Sequence, residues 1–254
     1  MHNEKVLKDI SILIDMYNAG DLGGEIMPED SNPNLEKLSN ENYLYFTLPM
    51  ALNYQRNSYK LWESSKATYE DVETKFVFNP EEVLNRSFED VQKALIKYKV
   101  ALQKDKQTEI WITLCRTFVD LFNGDIRKLF DQFDNDVIKI KEFVQIKEKK
   151  RFPYLSGTKI CNYWLYVISK YTDRRYVNME FLTVAPDTHV VKATHKLGLI
   201  TDEELQKTNV QEIVIQRWND LLKNAQFKPI DIHTPLWFWS RNGFQELKEK
   251  HLDK

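Results

Sequence analysis

The sequence is poor in glycine, cysteine and long apolar runs, and each shortage excludes a class of protein. Of 254 residues only 7 are glycine and 2 are cysteine, Cys115 and Cys161. Without a C-x-x-C pair these cysteines form neither a disulfide framework nor a thiolate-ligated metal site, so we expect both in the core. No apolar run reaches membrane-spanning length, and charges interrupt the apolar N-terminal stretch. We therefore expect a cytoplasmic chain with no signal peptide and no membrane partner.

Histidine is scarce as well, and its spacing gives no metal motif. His189 and His195 lie six residues apart, which does not place them on one helical face, and H-E-x-x-H is absent. We expect neither a metal nor a cofactor. The net charge is −2, so any nucleic-acid footprint must be local. Residues 139–151 hold six basic and two acidic residues. Such a run is more often a solvated helix face, but a turn follows this one directly.

What the chain does contain is helical periodicity. Apolar residues recur in three-four steps in "VLKDISILIDMY", "FEDVQKALIKYKVAL", "EIWITLCRTFVDLF" and "VQEIVIQRWNDLL". Gly and Pro mark residues 18–34 as a loop, Asn79-Pro80 opens a helix, and residues 174–186 are either a short extended segment or a loop. We predict an all-α chain, with two lobes that form a single unit over residues 1–254.

One turn carries the most chemistry. The segment "KKRFPYLSGTKI" (149–160) predicts a helix end near Arg151, a turn through Pro153 and Gly157, and a new helix from Thr158. The unpaired N–H groups of that first turn suit a phosphate. The residues expected to bind DNA here are Gly157, Thr158, Lys149, Lys150 and Arg151.

The helix that follows the turn is predicted to be buried along one face, which holds Lys159 at a fixed end. That face consists of Ile160, Tyr163, Trp164, Val167, Ile168 and Tyr171. Lys159 is then a phosphate ligand, a nucleophile, or only a surface lysine beside a simple turn.

A second element begins at Asp187 in "VAPDTHVVKATHKLGLI" (184–200), where a helix is predicted to run to Gly198. An Asp after Pro and before a helix is usually an N-cap. Capping and catalysis are compatible, because a capping carboxylate is rigidly held.

A helix, turn and helix with a lysine, followed by a helix that starts with aspartate, resembles the helix-hairpin-helix (HhH-GPD) DNA glycosylases. Lys159 in "LSGTK" matches the superfamily's Schiff-base lysine, and Asp187 in "APDTHV" matches its essential aspartate. Tyr154-Leu155-Ser156 stands where the hairpin usually has its first glycine. The long segment between lysine and aspartate is similar to that of the archaeal-type 8-oxoguanine DNA glycosylase/AP lyases.

The C-terminal stretch "FKPIDIHTPLWFWSRNGF" (227–244) is similar to a signature of the same subfamily. The resemblance places Trp237 on the tryptophan that packs against the extruded base, with His233 where the family has an acid and Asp231 two residues earlier. Upstream, Trp62 matches a second pocket tryptophan. From the residues alone, Trp237 is as much a core as a pocket candidate.

The resemblance implies a two-lobed helical fold with the active site in the cleft between lobes. It assigns the hairpin and catalytic region to residues 139–200 and the base-pocket segment to 227–244. It also implies a monomeric, nucleoid-associated DNA glycosylase with AP-lyase activity on double-stranded DNA, with Lys159 as nucleophile, Asp187 as the acid and no cofactor. The leading base is 8-oxoguanine. The alternatives are another base, including a hypermodified base of invading DNA, and a non-catalytic helical module that binds DNA or protein.

Overall fold

The structure is a computed structural model that describes residues 2–23 and 27–248. It is all-α, as predicted, and no β-strand occurs in these two ranges, where the extended backbone pairs only in an isolated bridge between Asp136 and Val177. The α-helices are α1 (His2–Asn18), α2 (Asn40–Thr47), α3 (Ser58–Glu70), α4 (Pro80–Leu84), α5 (Phe88–Lys97), α6 (Lys104–Phe122), α7 (Arg127–Gln132), α8 (Val137–Glu142), α9 (Thr158–Tyr171), α10 (Thr188–Lys196), α11 (Asp202–Leu205), α12 (Val210–Leu222) and α13 (His233–Arg241).

The chain forms two compact units. The central unit comprises residues 26–178, and the discontinuous unit joins residues 1–25 to residues 179–254. Helices α2 to α9 belong to the central unit, while α1 and α10 to α13 belong to the discontinuous one. The sequence predicts two lobes, but nothing in its pattern indicates that the N-terminal helix joins the C-terminal third of the chain.

Local polar residues explain where the helices of the central unit begin. The side chains of Ser39, Asn57 and Ser87 each accept a backbone N–H in the first turn of α2, α3 and α5. Pro80 is the first residue of α4, as the sequence predicts, and its missing N–H costs nothing there. Helix α6 ends at Phe122, and its C-cap, Asn123, has a left-handed backbone with φ of 52°. Because these signals are local, they can be read from sequence.

The core of the central unit is aromatic. Its largest fully buried side chains include Tyr45, Phe46, Trp62, Trp111 and Trp164. The two buried indoles of Trp111 and Trp164 donate to Val77 O at 2.7 Å and to Thr47 Oγ1 at 2.9 Å. Burying the rings of Trp111 and Trp164 removes a large apolar area from water while their indole N–H groups stay paired.

The discontinuous unit has its own core. Helix α10 packs on α12 and α13, and Trp218 donates its buried indole N–H to Thr194 Oγ1 at 2.8 Å. The N-terminal helix α1 contacts α13, with the rings of Tyr17 and Phe238 stacked at 6.0 Å. Gly198, at φ of 74°, follows the end of α10 as predicted.

The remaining predictions about the fold have mixed outcomes. Cys115 and Cys161 are both fully buried, as predicted, and burial raises the pKa of the Cys161 thiol to about 12. The predicted loop 18–34 contains a 3-10 helix at Pro28–Asp30, and its residues 24–26 lie outside the described residues. Residues 174–186 are mostly loop, with a 3-10 turn at Met179–Phe181. No described helix has the length and apolarity that crossing a membrane requires.

Candidate functional site

The predicted turn between two helical segments, called the hairpin below, lies in the central unit. A π-helical turn (Phe143–Lys147) and a 3-10 helix (Lys149–Arg151) continue α8, and the chain turns through residues 152–157 into α9 at Thr158. The turn is held by backbone bonds from Ser156 N to Phe152 O and from Gly157 N to Tyr154 O. Its left-handed residue is Tyr154, with φ of 63°, whereas Gly157 has φ of −69°.

Gly157 is favoured by the close approach of a neighbouring carbonyl rather than by its backbone angle. A Cβ at this position would lie 3.2 Å from Tyr154 O, which is tighter than ordinary contact. As the N-cap of α9, Gly157 brings no side chain to the first N–H groups of the helix. Those groups, beginning with Thr158, therefore stay available to an external acceptor such as a phosphate.

Lys159 lies in this first turn of α9. Its side chain is half-buried, and its ammonium makes no hydrogen bond or ion pair within the described part of the chain. The helix behind it is fixed by Trp164, Val167 and Ile168, which are buried as predicted. The buried Leu165 lies outside the predicted face, and the other three residues of that face, Ile160, Tyr163 and Tyr171, are only half-buried. The backbone of Lys159 is thus rigidly placed, while its amine is unpaired.

Of the three basic residues directly before the turn, two have no ion-pair partner and one is paired. Lys149 and Lys150 are exposed, and neither has an ion-pair partner among residues 2–23 and 27–248. Arg151 instead contacts Asp120 at 3.2 Å and Glu148 at 3.3 Å. Lys149 and Lys150 are therefore more available than Arg151 to bind a phosphate.

A second lysine approaches the same helix from α8. The Nζ of Lys141 donates to Asn162 Oδ1 at 3.1 Å, and Asn162 Nδ2 donates to Thr158 O at 2.7 Å. Burial lowers the pKa of Lys141. The sequence analysis missed this residue, because only the fold separates it from the exposed lysines of the same basic run.

Asp187 lies in the discontinuous unit as the N-cap of α10, as predicted. Its Oδ1 accepts the backbone N–H of His189 and of Val190, each at 2.9 Å. Its Oδ2 accepts the indole N–H of Trp237 at 2.9 Å. Three N–H groups thus fix this carboxylate and satisfy much of its capacity to accept hydrogen bonds.

Trp237 differs from the other five tryptophans, because it alone is not buried. The rings of His189 and Trp237 are T-shaped with centroids 5.5 Å apart, and the guanidinium carbon of Arg241 lies 5.1 Å from the Trp237 ring centroid. His189 Nδ1 also lies 3.3 Å from Ser240 Oγ. The structure therefore brings together the predicted acid and the predicted pocket tryptophan, with His189 and Arg241 beside them.

The other two predicted pocket residues of this unit lie at the start of α13. His233 is 5% exposed, and its Nδ1 accepts the N–H of Ala185 at 3.4 Å, just before Asp187. Asp231 is exposed and caps its own turn by accepting Lys228 N–H at 3.0 Å. His233 thus supports the segment that carries Asp187, and the role of both residues in a base pocket stays a prediction.

Trp62, the remaining predicted pocket residue, is fully buried in the central unit, tilted against Tyr45 and Phe46. Its indole N–H and the Oε1 of Glu29 are buried without a hydrogen bond of ordinary geometry in the described part of the chain. Glu29 Oε2 accepts the hydroxyl of Tyr163 at 3.1 Å.

Burial raises the pKa of Glu29 to about 7, although its own backbone N–H and the Tyr163 hydroxyl act against this rise. Sequence reasoning missed Glu29, because it stands in a segment rich in Gly and Pro that predicts a loop.

An open groove of about 1000 Å³ also lies in the central unit, but none of the predicted site residues lines it. Its walls carry five carboxylates against two cations, which does not suit a nucleic acid. Among the described residues, no group of three or more His, Cys, Asp or Glu side chains could hold a metal ion. Neither a protein-family model nor a curated protein sequence matches the chain.

Proposed function

We propose that the protein is a DNA glycosylase with AP-lyase activity, of the helix-hairpin-helix type. The observation that carries this proposal is the hydrogen bond from Trp237 to Asp187, two residues fifty positions apart. The resemblance, through two separate sequence motifs, assigns Trp237 to the base pocket and Asp187 to catalysis. Their direct contact supports both assignments.

The hairpin supplies the matching DNA contact. The first turn of α9 has N–H groups with no capping side chain, and Lys149 and Lys150 stand exposed on the approach to it. A phosphate bound there receives backbone N–H bonds and the positive end of the helix dipole. Because this contact reads no base, it positions the duplex without specifying its sequence.

The chemistry follows from the two side chains. After the nucleotide leaves the stack, the neutral amine of Lys159 attacks C1′ of the deoxyribose and the base departs with the bonding electrons. The carboxylate of Asp187 stabilises the positive charge that develops on the sugar. A proton then passes from the lysine nitrogen to O4′ as the C1′–O4′ bond breaks, which opens the sugar ring and leaves a protonated Schiff base. Loss of a C2′ proton expels the 3′ phosphate with the electrons of its C3′–O bond, which cleaves the strand.

Borohydride trapping on duplex DNA with one abasic site tests this proposal, because the hydride reduces the Schiff base to a stable amine. We expect a covalent complex from the wild-type protein and none from Lys159→Gln, with DNA affinity largely kept. Lys141→Gln is the matched control, since its amine approaches the same helix and burial lowers its pKa. Loss of trapping in Lys141→Gln alone would transfer the nucleophile to α8. DNA binding without any trapping would instead indicate a non-catalytic module.

The excised base is a separate question. The resemblance favours 8-oxoguanine, yet His233 stands where the family has an acid, which favours a changed base contact and keeps a hypermodified base as the alternative. Screening 8-oxoguanine, uracil, alkylated bases and modified cytosines opposite each normal base identifies the substrate. Excision confined to modified cytosines would contradict the assignment to 8-oxoguanine.

A further inference from the structure

The hairpin turn places a tyrosine in a backbone conformation that favours glycine. Tyr154 has φ of 63°, where a side chain with a Cβ meets the adjacent backbone. Such a conformation persists only where the surroundings hold it, and it concentrates at functional sites. The contacts of Tyr154 should therefore explain how the turn is kept.

Three separate segments of the central unit meet at Tyr154. Its ring stacks on Tyr54, with centroids 4.0 Å apart and planes 9° from parallel. Tyr54 precedes Gln55, which is itself left-handed with φ of 50°. The ammonium of Lys106, in the first turn of α6, lies 5.3 Å from the Tyr154 ring and 5.8 Å from the Tyr54 ring.

The charge of Lys106 and the phenol of Tyr154 stabilise each other. The Lys106 ammonium beside the phenol lowers the pKa of Tyr154 and, in return, Tyr154 raises the pKa of Lys106. A cation near two stacked rings also gains from their electron-rich faces. Lys106 is exposed, so its contribution is smaller than that of the stack itself.

The backbone of Tyr154 in turn sets the start of α9. Its carbonyl accepts Gly157 N–H at 3.0 Å, and a Cβ on that glycine would lie 3.2 Å from the same oxygen. Gly157 is the N-cap of the helix whose first turn holds Thr158 and Lys159. A change in the backbone at Tyr154 would thus move the proposed phosphate ligands and the proposed nucleophile together.

We propose that Tyr154 is a positioning residue, whose stack on Tyr54 holds the left-handed hairpin turn in the form that binds DNA. This inference rests on the proposed function for its DNA readout. In this chain the stack does what a glycine does in a turn of this kind, because it stabilises a conformation that glycine adopts freely. Loss of the Tyr54 ring should therefore matter only while residue 154 has a side chain that strains the left-handed backbone.

A double-mutant cycle tests the coupling. Tyr54→Ala should weaken affinity for duplex DNA roughly 2- to 12-fold, the range expected for one aromatic pair, whereas Tyr54→Phe should keep wild-type affinity. Tyr154→Gly should also bind nearly as wild type, because glycine needs no support at this φ. In the Tyr154→Gly background, Tyr54→Ala should then have no further effect. The matched control is Tyr98→Ala, which removes a half-buried tyrosine elsewhere in the same unit.

Hydrogen exchange of the Gly157 amide gives a readout that needs no DNA. Exchange should accelerate in Tyr54→Ala and return to the wild-type rate in Tyr54→Phe. The inference is overturned if Tyr54→Ala acts equally in the wild-type and Tyr154→Gly backgrounds, or if Tyr98→Ala has the same effect on exchange at Gly157. If the wild-type protein binds no DNA, the proposed function fails, and the exchange experiment still decides whether the stack holds the turn.

Discussion

The indole Nε1 of Trp237 donates a hydrogen bond of 2.9 Å to Oδ2 of Asp187. The proposed base-stacking residue and the proposed catalytic carboxylate are therefore in direct contact in the discontinuous unit. The same carboxylate caps α10 through its other oxygen, Oδ1. Asp187 therefore has a structural and a proposed catalytic role at once. Its Oδ1 caps the helix, and its Oδ2 faces the proposed pocket residue Trp237. Substitutions that preserve one role and remove the other can separate them.

Asp187→Asn should keep the cap and lose the chemistry. Asn caps helices about as well as Asp, so Asp187→Asn should keep the cap and lose only the hydrogen bond from Trp237, at a cost of about 1 kcal/mol in the free energy of unfolding. Asp187→Ala should lose a further contribution of about 1 kcal/mol, because it removes the cap as well. Both variants should lose base excision, because neither has a carboxylate to stabilise the charged sugar. Urea unfolding and single-turnover excision measure the two effects. An Asp187→Asn variant with wild-type excision would leave Asp187 as a cap alone.

Trp237→Ala should lose base excision while keeping strand cleavage at a preformed abasic site. The expected loss is about 1–3 kcal/mol in transition-state stabilisation if base stacking is its contribution. Cleavage should survive, because the N–H groups of His189 and Val190 still hold Asp187. Trp237→Phe keeps a ring without the N–H, so it should retain most of the excision.

Trp239→Ala is the matched control for this pair of variants, since Trp239 lies two residues away and is only 4% exposed. It should lower the free energy of unfolding by about 3–5 kcal/mol, the usual cost of truncating a buried Trp. If Trp237→Ala is destabilised to the same extent and loses both activities, Trp237 belongs to the core.

The unpaired lysines of the hairpin should dominate the salt dependence of DNA binding. Removing one phosphate-binding cation lowers the slope of log K against log salt by about 0.9 on duplex DNA. Lys149→Ala and Lys150→Ala should each show this decrease for any sequence, whereas Arg151→Ala should show less, because Asp120 and Glu148 already share its charge. Lys60→Ala, which removes an exposed lysine paired with Glu63, is the control. If all four variants show the same slope of log K against log salt, the basic residues 149–151 do not bind phosphate and form only a solvated helix face.

Local chemistry explains how much could be predicted from the sequence. The start of α9 after Gly157 and the capping of α10 by Asp187 depend on residues within one turn, so the sequence contains the whole signal. The left-handed turn at Tyr154 depends on Tyr54, a hundred positions earlier, and no local pattern indicates it. The same holds for α1, whose apolar face predicts a helix without naming α13 as its partner.

The unusual properties of Glu29 follow from the fold and could not be predicted from the sequence. In the sequence it is one acid among 38 acidic residues, in a segment that predicts a loop. In the structure it is 1% exposed, and its surroundings offer the hydroxyl of Tyr163 and the more distant charge of Lys170. Burial without a close cation therefore makes it a titrating group near neutral pH.

The raised pKa of Glu29 predicts that the protein loses stability as pH rises toward 7. The native state holds the Glu29 proton up to a pKa of about 7, whereas the unfolded chain releases it near the ordinary value of 4.5. The stabilisation is complete below pH 4.5 and is lost as pH rises through 7, a change on the order of 3 kcal/mol. Glu29→Gln, which stays neutral, should remove this slope and be more stable than wild type at pH 8. Urea unfolding from pH 5 to 8 measures it, with the exposed Glu36→Gln as control; parallel curves for wild type and Glu29→Gln would show that Glu29 does not titrate in this range.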